Sequence, residues 1–255
     1  METSRVRRDG RFCQLLLWFD VARASVKAYL LAAGLGTRLR PLTDNVPKCL
    51  IPIQGVPLLE IWLALCRRFG IHELLINTHA HATAVNDFVR RHRNGVRVTV
   101  VEEPMLLGSA GTLRANRDWV RSEESFWVFY ADVLTRANLD RMLAFHRTRN
   151  TAATIGVYEV PDPERCGIVT LDADNRLQDF TEKPSSPRSN LAFSGLMLAT
   201  PELIDAIPAK LHADIGYDLL PKLTGKVYAY RIPEYVIDIG TLQNYHAAQR
   251  DWVGL

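Results

Sequence analysis

Cysteine is scarce in this chain. There are four in 255 residues (Cys13, Cys49, Cys66 and Cys166), and no two form a Cys-x-x-Cys pair. That spacing excludes a zinc ribbon and a dense disulfide frame, and it suits a reduced, cytoplasmic compartment. Long apolar runs are missing too. None reaches the roughly 18 residues of a membrane helix, so no membrane span is expected. Neither sign of charge dominates. Lys and Arg number 31 against 28 Asp and Glu, and a net charge of +3 is too small for a chain that works by coating nucleic acid. No fixed-period repeat or low-complexity linker is present. With 47% apolar and 23% charged residues, a disordered tail, a collagen-like repeat and a coiled coil are all excluded. At roughly 150 residues per domain, the length allows one large domain or two small ones. The missing linker favours one domain with two lobes.

The first 26 residues differ from the rest. They hold five Arg (Arg5, Arg7, Arg8, Arg11, Arg23) against three acids, Glu2, Asp9 and Asp20, a net of +2. The basic pI of about 8.7 therefore reflects this stretch, and the body is near neutral. Ala22-Arg23-Ala24 has the form of a signal cleavage site, but Gln14 interrupts the apolar run before it and Asp20 ends that run. Residues 1–26 read as an extension, either for docking or from an early start codon, with nothing catalytic in it.

From Lys27 on, apolar runs alternate with amphipathic stretches. Lys27–Ala33 reads as a buried strand. Pro57 opens a helix whose Leu58, Ile61, Trp62, Leu65, Cys66 and Phe69 share one face, and Gly70 stops it. Glu73–Thr78 reads as a strand, Ala82–Arg93 as a helix, and Val96–Glu102 and Ser125–Ala131 as strands. Asn138 can cap a further helix. This βαβα order predicts an α/β fold with a Rossmann-like, mixed, mainly parallel sheet flanked by helices. After Asn150 the strands Ala152–Val160, Ile168–Leu171, Leu177–Glu182 and Leu191–Ala199 predict a small α+β lobe on the same sheet. The expected halves are 27–150 and 151–255.

Chemistry concentrates in Leu31-Ala-Ala-Gly-Leu-Gly-Thr-Arg-Leu-Arg-Pro-Leu-Thr-Asp-Asn-Val-Pro-Lys48. Gly34 and Gly36 let backbone N–H groups gather into an anion-binding nest. Thr37 adds a hydroxyl, and Arg38, Arg40 and Lys48 add the charge that partners phosphate. A tight turn with solvated charges is the plain alternative. A dinucleotide fingerprint fails because Leu39 stands at its third glycine, and no Gly-Lys-Ser/Thr completes a P-loop. Two carboxylates stand out for a cation. Asp132 follows a strand at its carboxyl end, where open α/β sheets bind ligands. Asp238 sits in an apolar strand, Tyr235–Thr241, and a buried carboxylate needs a partner. A helix cap and a hydrogen-bonded buried carboxylate are their plainer roles. Phe180-Thr181-Glu182-Lys183-Pro184 closes another strand and could meet a phosphorylated sugar or end in solvent.

The run Leu31–Lys48 resembles the signature of the sugar-1-phosphate nucleotidylyltransferases (NDP-sugar pyrophosphorylases), and similar segments extend to about Gln249. The resemblance implies a glycosyltransferase-A-like nucleotidyltransferase fold. It places nucleotide contacts on Leu31, Ala32, Ala33, Gly34, Gly36, Thr37, Arg38 and Lys48, and catalytic Mg²⁺ on Asp132 and Asp238. Asp132 matches a Gly-Asp in which Ala131 replaces the glycine, and Asp238 matches the aspartate of an Asp-Ile-Gly-Thr motif with Tyr245 behind it. Sugar-phosphate contacts fall on Gly167, Glu182, Lys183, Ser194 and Gly195. Cys166 departs from the family's tyrosine there, and Phe193-Ser194-Gly195 departs from its common Asn-Ala-Gly.

Glu103 with Leu106-Leu107-Gly108-Ser109-Ala110-Gly111-Thr112 is most similar to mannose- and heptose-1-phosphate guanylyltransferases. There Glu103 would accept from the base and Gly108 and Ser109 would join the nucleotide contacts, which ranks GTP ahead of UTP, with dTTP and CTP behind. The resemblance therefore implies a magnesium-dependent transferase acting on an NTP and a sugar 1-phosphate, with Arg38, Lys48, Asp132, Lys183 and Asp238 catalytic. A uridylyl- or thymidylyltransferase and a silent regulatory paralogue are the alternatives. No nucleic-acid partner is expected, and a homodimer is one assembly left open. From Lys27 the length suits the transferase domain alone, without the C-terminal β-helix of longer relatives.

Overall fold

The computed structural model describes residues 26–92 and 95–255. The expected extension, apart from Val26, lies outside them, as does Arg93 at the expected end of a helix. Val26 itself is buried in the core.

In chain order the elements are β1 (Ala28–Leu31), β2 (Pro52–Ile53), β3 (Val56–Pro57), α1 (Leu58–Arg68), β4 (Glu73–Thr78), α2 (Ala82–Arg91), β5 (Arg97–Glu102), α3 (Ser109–Ala115), β6 (Phe126–Tyr130), β7 (Val133–Thr135), α4 (Leu139–Arg147), β8 (Ala153–Glu159), β9 (Gly167–Leu171), β10 (Leu177–Glu182), β11 (Leu191–Ala199), β12 (Val227–Arg231), β13 (Val236–Asp238) and α5 (Leu242–Asp251). The main sheet runs β10-β9-β11-β6-β1-β4-β5, with β8 paired to β11 and β12. β6, β1, β4 and β5 are mutually parallel. β11 joins β6 antiparallel, so both expected halves build one sheet. The expected mixed, mainly parallel α/β sheet is present. Among the described residues no helix is long and apolar enough to cross a membrane.

The alternation of side chains along a strand divides the core in two. Trp127 and Phe129 of β6 point to the face covered by α1, whereas Phe126 and Val128 point to the face covered by α3 and the segment 215–223. On the first face Trp62 of α1 stacks on Phe129 at 4.8 Å. Gly70, at φ +71, ends α1 in a left-handed turn that a side chain would disfavour. Asn138 caps α4 by accepting from the Arg141 N–H at 3.1 Å, as expected.

This arrangement aligns the carboxyl ends of β1, β4, β5 and β6 along one edge. Leu31, Thr78, Glu102 and Tyr130 end there, and the loops that follow carry the candidate residues. A second, two-stranded sheet brings in the distant C-terminal segment. β13 pairs with β7 so that Asp238 lies opposite Val133, and the Ile239 N–H donates to the Asp132 carbonyl at 2.9 Å. The strand expected over Tyr235–Thr241 is thus three residues long, and Thr241 instead caps α5 by accepting from the Asn244 N–H at 3.2 Å.

Candidate active site

Two adjoining cavities of about 250 and 240 Å³ open on that edge, and Tyr130 and Asp132 line both. The first is framed by the loop after β1. Leu31, Ala32, Ala33, Gly34, Lys48, Glu103, Gly108 and Ser109 all line it. Arg38 lines the second. Gly36 and Thr37 line neither. Gly36, at φ +65, packs on Thr43, whose Oγ1 donates to the Gly36 carbonyl at 2.8 Å.

The floor of the first cavity is a buried polar network. Asn77, on β4, accepts from the Ala32 N–H at 2.8 Å, and its Nδ2 donates to Glu103 Oε1 and to Thr112 Oγ1, both at 2.9 Å. Thr112 Oγ1 also donates to Glu103 Oε1 at 2.5 Å, and the Leu107 N–H donates to Glu103 Oε2 at 3.2 Å. Glu103 is only 3% exposed. Its first role is therefore to tie β4, the loop at Leu107 and α3 together, since a buried carboxylate is costly unless its lone pairs are filled. Oε2, with one long bond, keeps capacity toward the cavity. Asn77 belongs to no motif named above. The signal was there, because it is a lone amide near the carboxyl end of an apolar strand, as Asp132 is a lone carboxylate.

Four charged side chains meet at the wall between the cavities. Lys48 Nζ lies 2.5 Å from Asp132 Oδ2 and 4.0 Å from Asp238 Oδ1. A Cβ built on Gly240 would stand 2.7 Å from Asp238 Oδ1, 2.9 Å from an Arg38 Nη2 and 3.2 Å from Lys48 Nζ, so these groups close on a glycine. Half of the Asp238 side-chain surface still faces the cleft. Its carboxyl is nevertheless pushed above the usual carboxylate range, first by loss of water in the cleft and then by the negative charge of Asp132, with Lys48 acting against both. Two carboxylates crowded in this way are suited to sharing a cation. Among the described residues no group of three or more His, Cys, Asp or Glu surrounds a common point. Further ligands to such a cation would have to come from a substrate or water.

The second cavity collects the residues expected for a sugar phosphate: Gly167, Glu182, Lys183, Ser194 and Gly195. Glu182 lies in a slot between two backbones, because a Cβ on Gly167 or on Gly216 would come within 2.7 or 2.5 Å of its Oε2. Burial raises its carboxyl above the usual range, and Lys183, with Nζ 3.7 Å from Oε1, opposes that rise. Lys183 adopts a left-handed φ of +48, uncommon for a lysine, and donates its N–H to the Cys166 carbonyl at 2.9 Å. Ser194 is 2% exposed, and its Oγ accepts from the Leu196 N–H at 3.3 Å while crowding Gly156. Its Oγ thus has one bond within β11 and keeps its O–H as a donor. Asp214, Gly216 and Tyr217 complete the wall. No periodicity marks them in the sequence, because Asp214 caps and Gly216 and Tyr217 lie within a five-residue turn, Ile215–Leu219.

Fold and cleft together define an α/β protein whose cleft sets two cations, Arg38 and Lys48, beside a pair of carboxylates, Asp132 and Asp238. The family model described as nucleotidyl transferase matches residues 27–253. The chain is 32% identical over 243 residues to a UTP–glucose-1-phosphate uridylyltransferase of Synechocystis, covering 88% of this chain and 63% of that protein. It is 30% identical over 238 residues to a mannose-1-phosphate guanylyltransferase of Mycobacterium tuberculosis, covering 91% and 66%. The chain thus spans about two thirds or less of the length of these relatives. Among solved structures, HddC from Yersinia pseudotuberculosis complexed with GMP-PN superposes with a TM-score of 0.75 at 24% identity, covering 88% of this chain and 98% of that one. A UTP-bound UGPase from Acinetobacter baumannii gives 0.74 at 24%, covering 88% and 92%. The chain belongs to the nucleotidyl transferase family.

Proposed function

We propose that the protein transfers a nucleoside monophosphate from a nucleoside triphosphate, GTP first, to a mannose- or heptose-like sugar 1-phosphate, releasing pyrophosphate. The observation that carries this reading is the convergence of Arg38, Lys48, Asp132 and Asp238 on the wall shared by two cavities. A nucleotide in the first cavity and a sugar phosphate in the second would meet there. A sugar-phosphate oxygen attacks the α-phosphorus in line, the bond to the β-phosphate oxygen breaks, and pyrophosphate leaves with that electron pair. No covalent enzyme intermediate is required. The protein contributes position and charge. Arg38 and Lys48 hold the triphosphate and meet the charge that develops on it. Lys183 orients the sugar phosphate, with Glu182 accepting from sugar hydroxyls. Asp132 and Asp238 would hold Mg²⁺, which supplies charge neutralisation at the phosphates.

Base choice has a second reading, transfer of a uridylyl group. The similarity to a uridylyltransferase at 32% identity supports it alongside the guanylyltransferase at 30%. The test is pyrophosphate release across GTP, UTP, dTTP, CTP and ATP, each against mannose, heptose and glucose 1-phosphates. Turnover with GTP and one of the first two sugars is expected. Turnover with UTP alone moves the reading to its alternative, and no turnover with any pair refutes it.

A further inference from the structure

We propose that Asp214 is a positioning residue that locks the sugar-phosphate cavity to the nucleotide loop, an inference that rests on the transferase reading above. Asp214 precedes the turn Ile215–Leu219, and its carboxylate bonds in two directions. Oδ1 accepts from the N–H groups of Gly216 at 2.8 Å and Tyr217 at 3.3 Å. Oδ2 accepts from Ser109 Oγ at 2.9 Å, and Ser109 Oγ in turn accepts from the Ile215 N–H at 2.7 Å. Ser109 begins α3 and lines the first cavity, whereas Asp214, Gly216 and Tyr217 line the second.

One carboxylate therefore fixes the turn that forms one side of the Glu182 slot and ties that turn to the loop beside the base. The tether is separable from the fold. The Ala213 carbonyl accepts from the Ala110 and Gly111 N–H groups at 3.0 Å each, and the Ala213 N–H donates to Leu107 at 2.9 Å. These backbone bonds hold the segment against the nucleotide loop without the Asp214 side chain. Loss of that side chain should loosen Gly216 and Tyr217, and with them the seat of Glu182, while the nucleotide cavity keeps its frame. An asparagine retains an oxygen for the two N–H groups, and its amide can donate to the second lone pair of Ser109 Oγ, reversing that bond, so it should restore the geometry without the charge.

The test uses the full chain with whichever substrate pair turns over in the panel, GTP with mannose 1-phosphate or UTP with glucose 1-phosphate. Asp214→Ala is expected to raise the KM for the sugar phosphate at least tenfold, leave the KM for the nucleotide within threefold, and keep a cooperative melt. Asp214→Asn is expected to return the sugar-phosphate KM to within threefold of wild type. Three results overturn the role: an unchanged sugar-phosphate KM in Asp214→Ala, a parallel rise of both KM values, or a loss in Asp214→Asn as large as in Asp214→Ala. A wild-type chain inactive with every pair defeats the transferase reading itself, whereas an active wild type with a normal Asp214→Ala variant defeats only the tether.

Discussion

Gly240→Ala tests the convergence of charges most directly. The new Cβ would lie 2.7 Å from Asp238 Oδ1, 2.9 Å from Arg38 Nη2 and 3.2 Å from Lys48 Nζ, where ordinary contact begins near 3.4 Å. Arg38 and Lys48 can swing aside, but Asp238 Oδ1 is held by the Gly240 N–H at 2.5 Å. The carboxylate must therefore retreat by about 0.7 Å, or the cations must leave the wall. A misplacement near 1 Å can cost on the order of a hundredfold in rate, so kcat for pyrophosphate release should fall roughly 10- to 100-fold, about 1.4 to 2.7 kcal/mol of barrier. The backbone of Gly240 is not in the left-handed region, so the fold should survive with little change in melting temperature. A Gly240→Ala variant with wild-type kcat would refute the reasoning.

Other expectations follow from the same structure. Asp132→Asn should abolish turnover while leaving far-ultraviolet circular dichroism unchanged, and pyrophosphate release at the wild-type rate would sink the cation assignment. Trp62→Ala, which empties a fully packed position against Phe129, should cost about 3–5 kcal/mol in urea unfolding; a loss under about 1 kcal/mol would contradict the packing described. His146 is buried with Nδ1 2.9 Å from Thr154 Oγ1, and burial lowers its pKa below the usual 6.5. The unfolded chain therefore takes up this proton first. Stability is unaffected above that value, falls as pH drops through it toward the lowered folded pKa, and then levels off. Urea melts between about pH 7.5 and pH 5 should show this slope and His146→Asn should flatten it; equal slopes would remove His146 as the cause.

Much of the sheet was legible because apolar runs lie between turn signals. Glu73–Thr78, Leu177–Glu182 and Leu191–Ala199 begin and end where sequence reasoning places them. The helix Ser109–Ala115 escaped it because Ser-Ala-Gly-Thr has no apolar face long enough to show a period. β7 and β13 are three residues each, too short for alternation to register. In the cleft, the loop residues and both aspartates could be found because each is polar or glycine in an apolar setting. Asp214 could not, since its meaning comes from Ser109, 105 positions away in the chain. Ser194 was legible as part of a motif, but the bond its Oγ accepts from the Leu196 N–H was not.

The cleft is assembled by contacts that the order of the chain conceals. Asp132 and Asp238 are 106 positions apart and become neighbours through two three-residue strands, with the Ile239 N–H bonded to the Asp132 carbonyl. Alone, that juxtaposition would be unfavourable, because like charges in a water-poor cleft repel. Lys48 offsets it, and the hairpin that begins four residues after it is bonded to the C-terminal helix. The backbone N–H of Gln54, in the turn between β2 and β3, donates to Gln249 Oε1 at 2.8 Å. Gln249 Nε2 and Tyr245 Oη donate to the Pro52 carbonyl at 2.7 and 3.1 Å. α5 follows directly from the Asp238–Thr241 motif. The same C-terminal segment thus supplies one carboxylate and holds the hairpin that follows the lysine. A disturbance of α5 should therefore reach the Lys48–Asp132–Asp238 group without any contact to a substrate.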